Sequence, residues 1–267
     1  MGHCKASLVG YHFVHYIGCD AYKMTENAPN EQRLAIQVKG LSKSFSGPPV
    51  LSDLDMEIPW GKRFVLFGGN GSGKTTLIKS LATLSRPDSG WFQVGGFDRR
   101  QGPRLRRSIG VVTHQPLLYA DLTGYETLRF YGRMFRVPDM GHRIELVAEQ
   151  MGVTRYLQAR VGTLSHGMQK RLSLARALLH DPPILLLDEP ETGLDQEALE
   201  LLDGLLTSSE GAHRTVLMAT HNLERGLSFG DTIAILAQGR IAYQESRNGL
   251  DETEFRDTFT RYLGAVA

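Results

Sequence analysis

Phe64-Val65-Leu66-Phe67-Gly68-Gly69-Asn70-Gly71-Ser72-Gly73-Lys74-Thr75-Thr76-Leu77-Ile78-Lys79-Ser80-Leu81 decides the fold. An apolar run leads into a glycine-rich turn, and the turn leads into a helix-forming segment. A phosphate-binding loop needs that context. Glycines let the backbone curl until successive N–H groups point at phosphate oxygens. The helix begun by Thr75 and Thr76 adds the positive end of its dipole. Lys74 can reach the β- and γ-phosphates, and the Thr75 hydroxyl can bind Mg²⁺. The bland alternative is a ligand-free glycine turn between strand and helix. Residue types, spacing and flanks together favour a nucleoside triphosphate, contacted from Gly68 through Thr76.

Composition sets the outer limits. The chain has 267 residues, 41% hydrophobic and 22% charged, which suits one α/β domain with room for an inserted subdomain. Thirty basic against 29 acidic residues leave a net charge of +1, so no global field argues for nucleic acid. No run approaches the ~20 apolar residues of a membrane-spanning helix. Both cysteines, Cys4 and Cys19, precede the body of the protein, which fits a reducing compartment.

Residues 1–33 read as a leader. Leu8 to Cys19 is half apolar and aromatic, but His12 and His15 interrupt it and no small-residue cleavage site follows, against a signal peptide. His3, Cys4, His12, His15 and Cys19 could ligate a metal or haem, although their spacing matches no common zinc pattern. The expectation is an upstream extension with Met24 as the true start, followed by a flexible polar stretch to Gln32.

From Leu34 the globular domain begins. Leu34–Val38 and Leu54–Ile58 alternate like strands around the turn Ser46-Gly47-Pro48-Pro49, with Phe45 just before that turn. Helix is expected from Leu77 to Leu84, and strands at Trp91–Val94 and Ile109–Val112. Between those strands Arg99, Arg100, Arg104, Arg106 and Arg107 read as a solvated loop, with lipid phosphates or a membrane partner as the alternative. Residues 116–163 carry apolar residues at helical spacing, and the helical subdomain is expected over about 116–180. Its aromatics read as a small core. Ile184-Leu185-Leu186-Leu187 is a strand buried on both faces. A helix at Gln196–Leu206, a strand at Thr215–Ala219 and a hairpin at 232–243 follow. The remainder, 244–267, reads as a short helix and tail.

Three further groups complete a site. Asp188 and Glu189 end the buried strand: Asp188 can hold Mg²⁺, and Glu189 can polarise the water that attacks the γ-phosphate. His221 follows the next strand and can orient that water. Gln115 follows another strand and can sense phosphate and metal. Leu164-Ser165-His166-Gly167-Met168-Gln169-Lys170-Arg171 starts a helix and makes a second anion site through Ser165 and Gly167. One ATP cannot fill two such sites in one chain, which points to a symmetric homodimer with each Ser165 helix over the other protomer's nucleotide.

Over about residues 34–243 these motifs resemble the nucleotide-binding subunits of ABC transporters. The resemblance implies an α/β P-loop NTPase with a mixed-sheet core, an antiparallel β subdomain and an inserted helical subdomain. It implies Walker A at Gly68–Thr75, the Q-loop at Gln115 (a metal and cofactor contact), the signature at Leu164–Met168 and Walker B at Ile184–Glu189. It also makes Gly193-Leu194-Asp195 part of the D-loop, His221 the switch histidine and Phe45 the adenine-stacking aromatic, where the family usually has tyrosine. ATP and Mg²⁺ are the implied cofactors, with Lys74, Glu189 and His221 catalytic. His166 and Met168 depart from the usual Leu-Ser-Gly-Gly-Gln, and His166 is expected to alter pH dependence.

Thr113–Tyr119, Leu122–Tyr131 and His221–Leu227 are similar to haem-exporter ATP-binding subunits of cytochrome c maturation, the CcmA type. That likeness implies a CcmB-like membrane permease and peripheral attachment at the cytoplasmic face. A drug, antibiotic or lipid exporter shares much of these strings. A non-transport ABC ATPase of DNA repair or cluster assembly is a third reading, disfavoured for DNA by neutral charge and an insertion too short for a coiled coil.

Overall fold

Val65 and Phe67 face one side of β3 (Arg63–Phe67), and Phe64 and Leu66 face the other. The same alternation sorts β7 (Ile184–Asp188), β8 (Thr215–Ala219) and β9 (Thr232–Ala237), so one sheet separates two apolar cores. The computed structural model describes residues 34–207 and 213–264. The readings made for residues 1–33, including the Met24 start and the His/Cys cluster, lie outside the described residues.

The large sheet runs β10-β9-β3-β8-β7-β6, with β6 at Ile109–Val112 and β10 at Arg240–Ser246. Five strands are parallel, and β10 closes one edge antiparallel to β9. A second, antiparallel sheet is ordered β2-β1-β4-β5, from β1 (Leu34–Ser44), β2 (Pro49–Pro59), β4 (Ser89–Val94) and β5 (Phe97–Asp98). It and α1 (Lys74–Leu81) share the core that holds Phe64 and Leu66. The mixed sheet and antiparallel sheet agree with the sequence reading. The strands of β1 and β2 run longer than their alternating cores suggested, and α1 starts three residues before Leu77 because the glycine loop delivers the chain directly into helical geometry.

Against the opposite face pack the helices between β6 and β7: α3 (Gly124–Phe135), α4 (Met140–Gln150) and α5 (His166–Leu178). Thr123 caps α3 with a capping box: its hydroxyl accepts from the Glu126 amide at 3.1 Å, and the Glu126 carboxylate accepts from the Thr123 amide at 2.9 Å. The arginine cluster lies exposed on a 3₁₀ turn and α2 (Gly102–Ser108), where Arg106 donates to Thr83 Oγ1 at 3.1 Å. Past β7 come α6 (Gln196–Thr207) and α7 (Leu223–Phe229). The helix expected near the C-terminus is α8 (Glu252–Gly264), and its Phe255 and Phe259 are buried against Phe67 at ring separations of 5.5 and 5.7 Å. The short helix of the expected tail therefore also contributes to the core beneath the phosphate loop.

Candidate functional site

The loops after β3, β7 and β8 leave the sheet at one edge, and there the acids, the lysine and the histidine meet. Gly73 caps α1 at φ +110, a conformation an L side chain rarely adopts, and a Cβ there would sit 2.7 Å from the Val50 carbonyl. A Cβ on Gly68 would fall 2.6 Å from the Leu236 carbonyl. The loop is thus wedged between β2 and β9 and tolerates no side chain at either position. No side chain caps α1, which leaves its first amides for an anion.

Lys74 is buried, and its ammonium donates to the carbonyls of Gly68 at 2.7 Å and Gly69 at 3.1 Å. Burial pushes it below the usual lysine range, opposed by the charges of Glu189 and Asp188. The Thr75 hydroxyl donates to Asp188 Oδ1 at 3.1 Å. Burial raises the Asp188 carboxyl above the ordinary aspartate range, and the Thr75 hydrogen bond works against that rise. Its Oδ2 is buried without a hydrogen-bond partner among the described residues. An oxygen-only donor set with an unspent carboxylate oxygen fits a hard cation such as Mg²⁺. Ser72 Oγ, also buried and unpartnered, adds a donor inside the loop.

Glu189 adopts φ +46, and its carboxylate lies 3.2 Å from His221 Nδ1. A carboxylate only accepts, so this contact places the proton on Nδ1 and leaves Nε2 as the free ring nitrogen. Five of the residues singled out from the sequence thus converge: Lys74, Thr75, Asp188, Glu189 and His221.

Others stand apart. The Gln115 side chain is exposed, and no hydrogen bond joins it to Thr75 or Asp188 among the described residues. Its loop is tied instead to the helical side: Ser173 Oγ donates to the Pro116 carbonyl at 3.0 Å and Tyr131 to that of Leu117 at 2.8 Å, while Arg176 donates to the Val111 carbonyl of β6 at 2.5 Å. Phe45 is 57% exposed in the β1–β2 turn, with the Lys43 ammonium 5.1 Å from its ring centre. Ser165 caps α5, accepting from the Met168 amide at 3.3 Å, and no hydrogen bond links it to the phosphate loop among the described residues.

Several residues here went unremarked in the sequence. Lys170 is 3% exposed and donates to the Glu189 carbonyl at 3.1 Å. Arg171 pairs with Asp195 and Glu197. Thr220 donates to Glu191. The available signal was position: Lys170, Leu174 and Ala177 share one stripe of α5, and a lysine on an apolar stripe must find a partner.

Residues 51–192 match the sequence family described as ABC transporter. The ABC transporter ATP-binding protein YdbJ of Bacillus subtilis, itself uncharacterized, is 33% identical over 221 residues, which cover 82% of this chain and 71% of the relative. The Nod factor export ATP-binding protein I of Rhizobium johnstonii is 38% identical over 212 residues, covering 78% and 68%. Among solved structures, the dimeric post-hydrolysis state of the ATP-binding cassette MJ0796 bound to ADP and Pi matches with TM-score 0.72 at 25% identity, covering 80% of this chain and all of that one.

Proposed function

Because the chain belongs to the ABC transporter ATP-binding family, we propose that it is the ATPase subunit of an exporter and drives transport through a separate membrane subunit. The observation that carries this reading is the convergence of Lys74, Thr75, Asp188, Glu189 and His221 at one sheet edge. Members of this family bind ATP and use Mg²⁺, and the oxygen donors found here suit both.

The loop from Gly68 to Thr76 cradles the phosphates with its amides, and Lys74 exchanges its carbonyl contacts for β- and γ-phosphate oxygens. Thr75 and Asp188, with Gln115 nearby, would hold Mg²⁺, which would supply neutralising charge for the transferring phosphoryl group. Glu189 accepts the proton of the attacking water, and His221 holds that carboxylate through its Nδ1–H, which leaves Nε2 free to accept from the water and orient it. Phe45 offers its exposed ring face to adenine. Ser165 and Gly167 complete the site of a second copy, so two chains close around two nucleotides. Since Gln115's loop is bound to the helices, that closure carries Gln115 with it. His166, beside Gly193, stands where the family's signature usually carries glycine.

For cargo, three strings favour haem with a CcmB-like permease, and the name of the Rhizobium relative favours another exported compound. The reading that both support is export. Among the described residues no helix is long and apolar enough to cross a membrane. We assign the path to the partner, with this chain peripheral at the cytoplasmic face, where ATP is available.

Glu189→Gln should keep ATP binding, lose about 10²-fold or more in kcat, and accumulate an ATP-dependent dimer by size exclusion. Wild-type turnover would remove Glu189 from the mechanism. A monomer at saturating ATP and Mg²⁺ would overturn the two-chain site.

A further inference from the structure

Among the described residues, the buried ammonium of Lys170 lies beside the site without a role in the mechanism proposed for it. It belongs to α5, five residues after the capping Ser165, and reaches across to the Glu189 carbonyl at 3.1 Å. Glu189 needs such a restraint. Its φ of +46 lies in the left-handed region that a glutamate seldom occupies; its amide donates to the Ala219 carbonyl at 2.9 Å, and its carbonyl accepts from the Thr192 amide at 3.2 Å as well as from Lys170. The next α5 residue, Arg171, grips the far end of the same segment through Asp195 at 2.5 Å and Glu197 at 3.3 Å. Between these two anchors, Gly193 lies against the His166 ring, where an added Cβ would come within 2.6 Å of Cδ2. The stretch from Glu189 to Glu197 is therefore strapped along the opening turns of α5.

We propose that Lys170 is a positioning residue for hydrolysis, fixing the Glu189 backbone, and with it the carboxylate facing His221, to the helix whose first turn meets the partner's nucleotide. The proposal rests on the reading of Glu189 as the hydrolytic acid. The linkage has a consequence for timing. When a second chain's triphosphate seats on Ser165, α5 stiffens, and the Glu189 of the same chain is held at its working angle. Each nucleotide would then prepare the acid that cleaves the other. Burial lowers the Lys170 ammonium, and the charges of Asp188, Glu191 and Glu189 oppose that, so the group sits among acids while spending its hydrogen bond on a carbonyl.

Lys170→Met keeps the aliphatic stem and removes donor and charge. In the purified full chain it should leave ATP affinity, read by nucleotide titration, within about twofold of wild type while kcat falls about tenfold or more. Lys170→Arg, which keeps a donor, should recover part of that rate. In the Glu189→Gln background, Lys170→Met should still form the ATP-dependent dimer. Wild-type kcat in folded Lys170→Met overturns the proposal. So does a loss of ATP affinity and dimer as large as the loss of rate, because a lysine that merely holds α5 in place would act on all three. If Lys170→Met does not fold, Lys170→Gln, with a shorter donor, is expected to show the same split, and wild-type kcat there overturns the proposal equally. Failure of the functional reading looks different: the wild-type chain and Glu189→Gln would then turn over ATP alike.

Discussion

His180 has one ring nitrogen satisfied and one stranded. Nε2 lies 3.0 Å from the Ile109 carbonyl, which can only accept, so Nε2 carries the proton. The ring stacks on Phe135 at 4.0 Å between centroids, and Nδ1 is buried with no hydrogen-bond partner among the described residues. A second proton would go to that Nδ1. Burial pushes the imidazole down from 6.5 to about 4. The native state therefore resists a proton that the unfolded chain accepts. Stability from this group is complete above pH 6.5 and declines as pH falls towards about 4, by at most about 1.4 kcal/mol per pH unit. His180→Gln should flatten the slope of unfolding free energy against pH in that window, measured by urea titration; an unchanged slope would mean His180 is not buried neutral. At this scale the phosphate loop is legible in the sequence, because phosphate chemistry restricts residue types at fixed spacing. Lys170 is harder to read, because beside Gln169 and Arg171 it looks like part of a solvated face, and its place on the apolar stripe becomes decisive only once α5 is seen to be buried from Lys170 to Leu178.

At the scale of elements, the apolar runs announce β3, β7, β8 and β9 because strands covered on both faces have few polar positions to disguise them. The C-terminal helix is harder to read. Phe255 and Phe259 sit one turn apart in an otherwise polar segment, and two phenylalanines do not reveal what they cover. Their target is Phe67, the last residue of β3 before the phosphate loop, with Tyr243 5.7 Å from Phe255 on the flank. Phe255→Ala should cost about 3–5 kcal/mol in urea unfolding, since the residue is 1% exposed and the site has rings on several sides. A loss below about 1 kcal/mol would show that α8 rests on the core without sealing it. The position of Gln115 is also illegible: its motif marks it as a sensor, but what holds its loop are Tyr131 of α3 and Ser173 of α5, with Arg176 of α5 holding the strand before it.

At the scale of the molecule, a lone chain carries two halves of different sites, with the acids at one sheet edge and Ser165 at the head of α5. On the function proposed here, that arrangement calls for two partners, a second copy and the membrane subunit that turns closure into transport. In its native host the chain should therefore sediment with membranes and leave them when the permease gene is deleted, as read by immunoblot of the fractions. Recovery wholly in the supernatant of intact cells would favour the non-transport class. Strand order is the part of the architecture least accessible to sequence, since β3 pairs with none of its chain neighbours.

That pairing bears on how the protein is made. Arg63 is matched with Val216 on one side, and Phe64 with Thr232 on the other. While the ribosome is still adding α6, the strand that leads into Lys74 has both of its edges bare, although its own loop has long been translated. Such distant pairings close late and at an entropic cost. Two strands that emerge late flank the phosphate loop, so a nascent chain gains nucleotide competence only once β8 and β9 are made, and a product cut before β8 does not gain it.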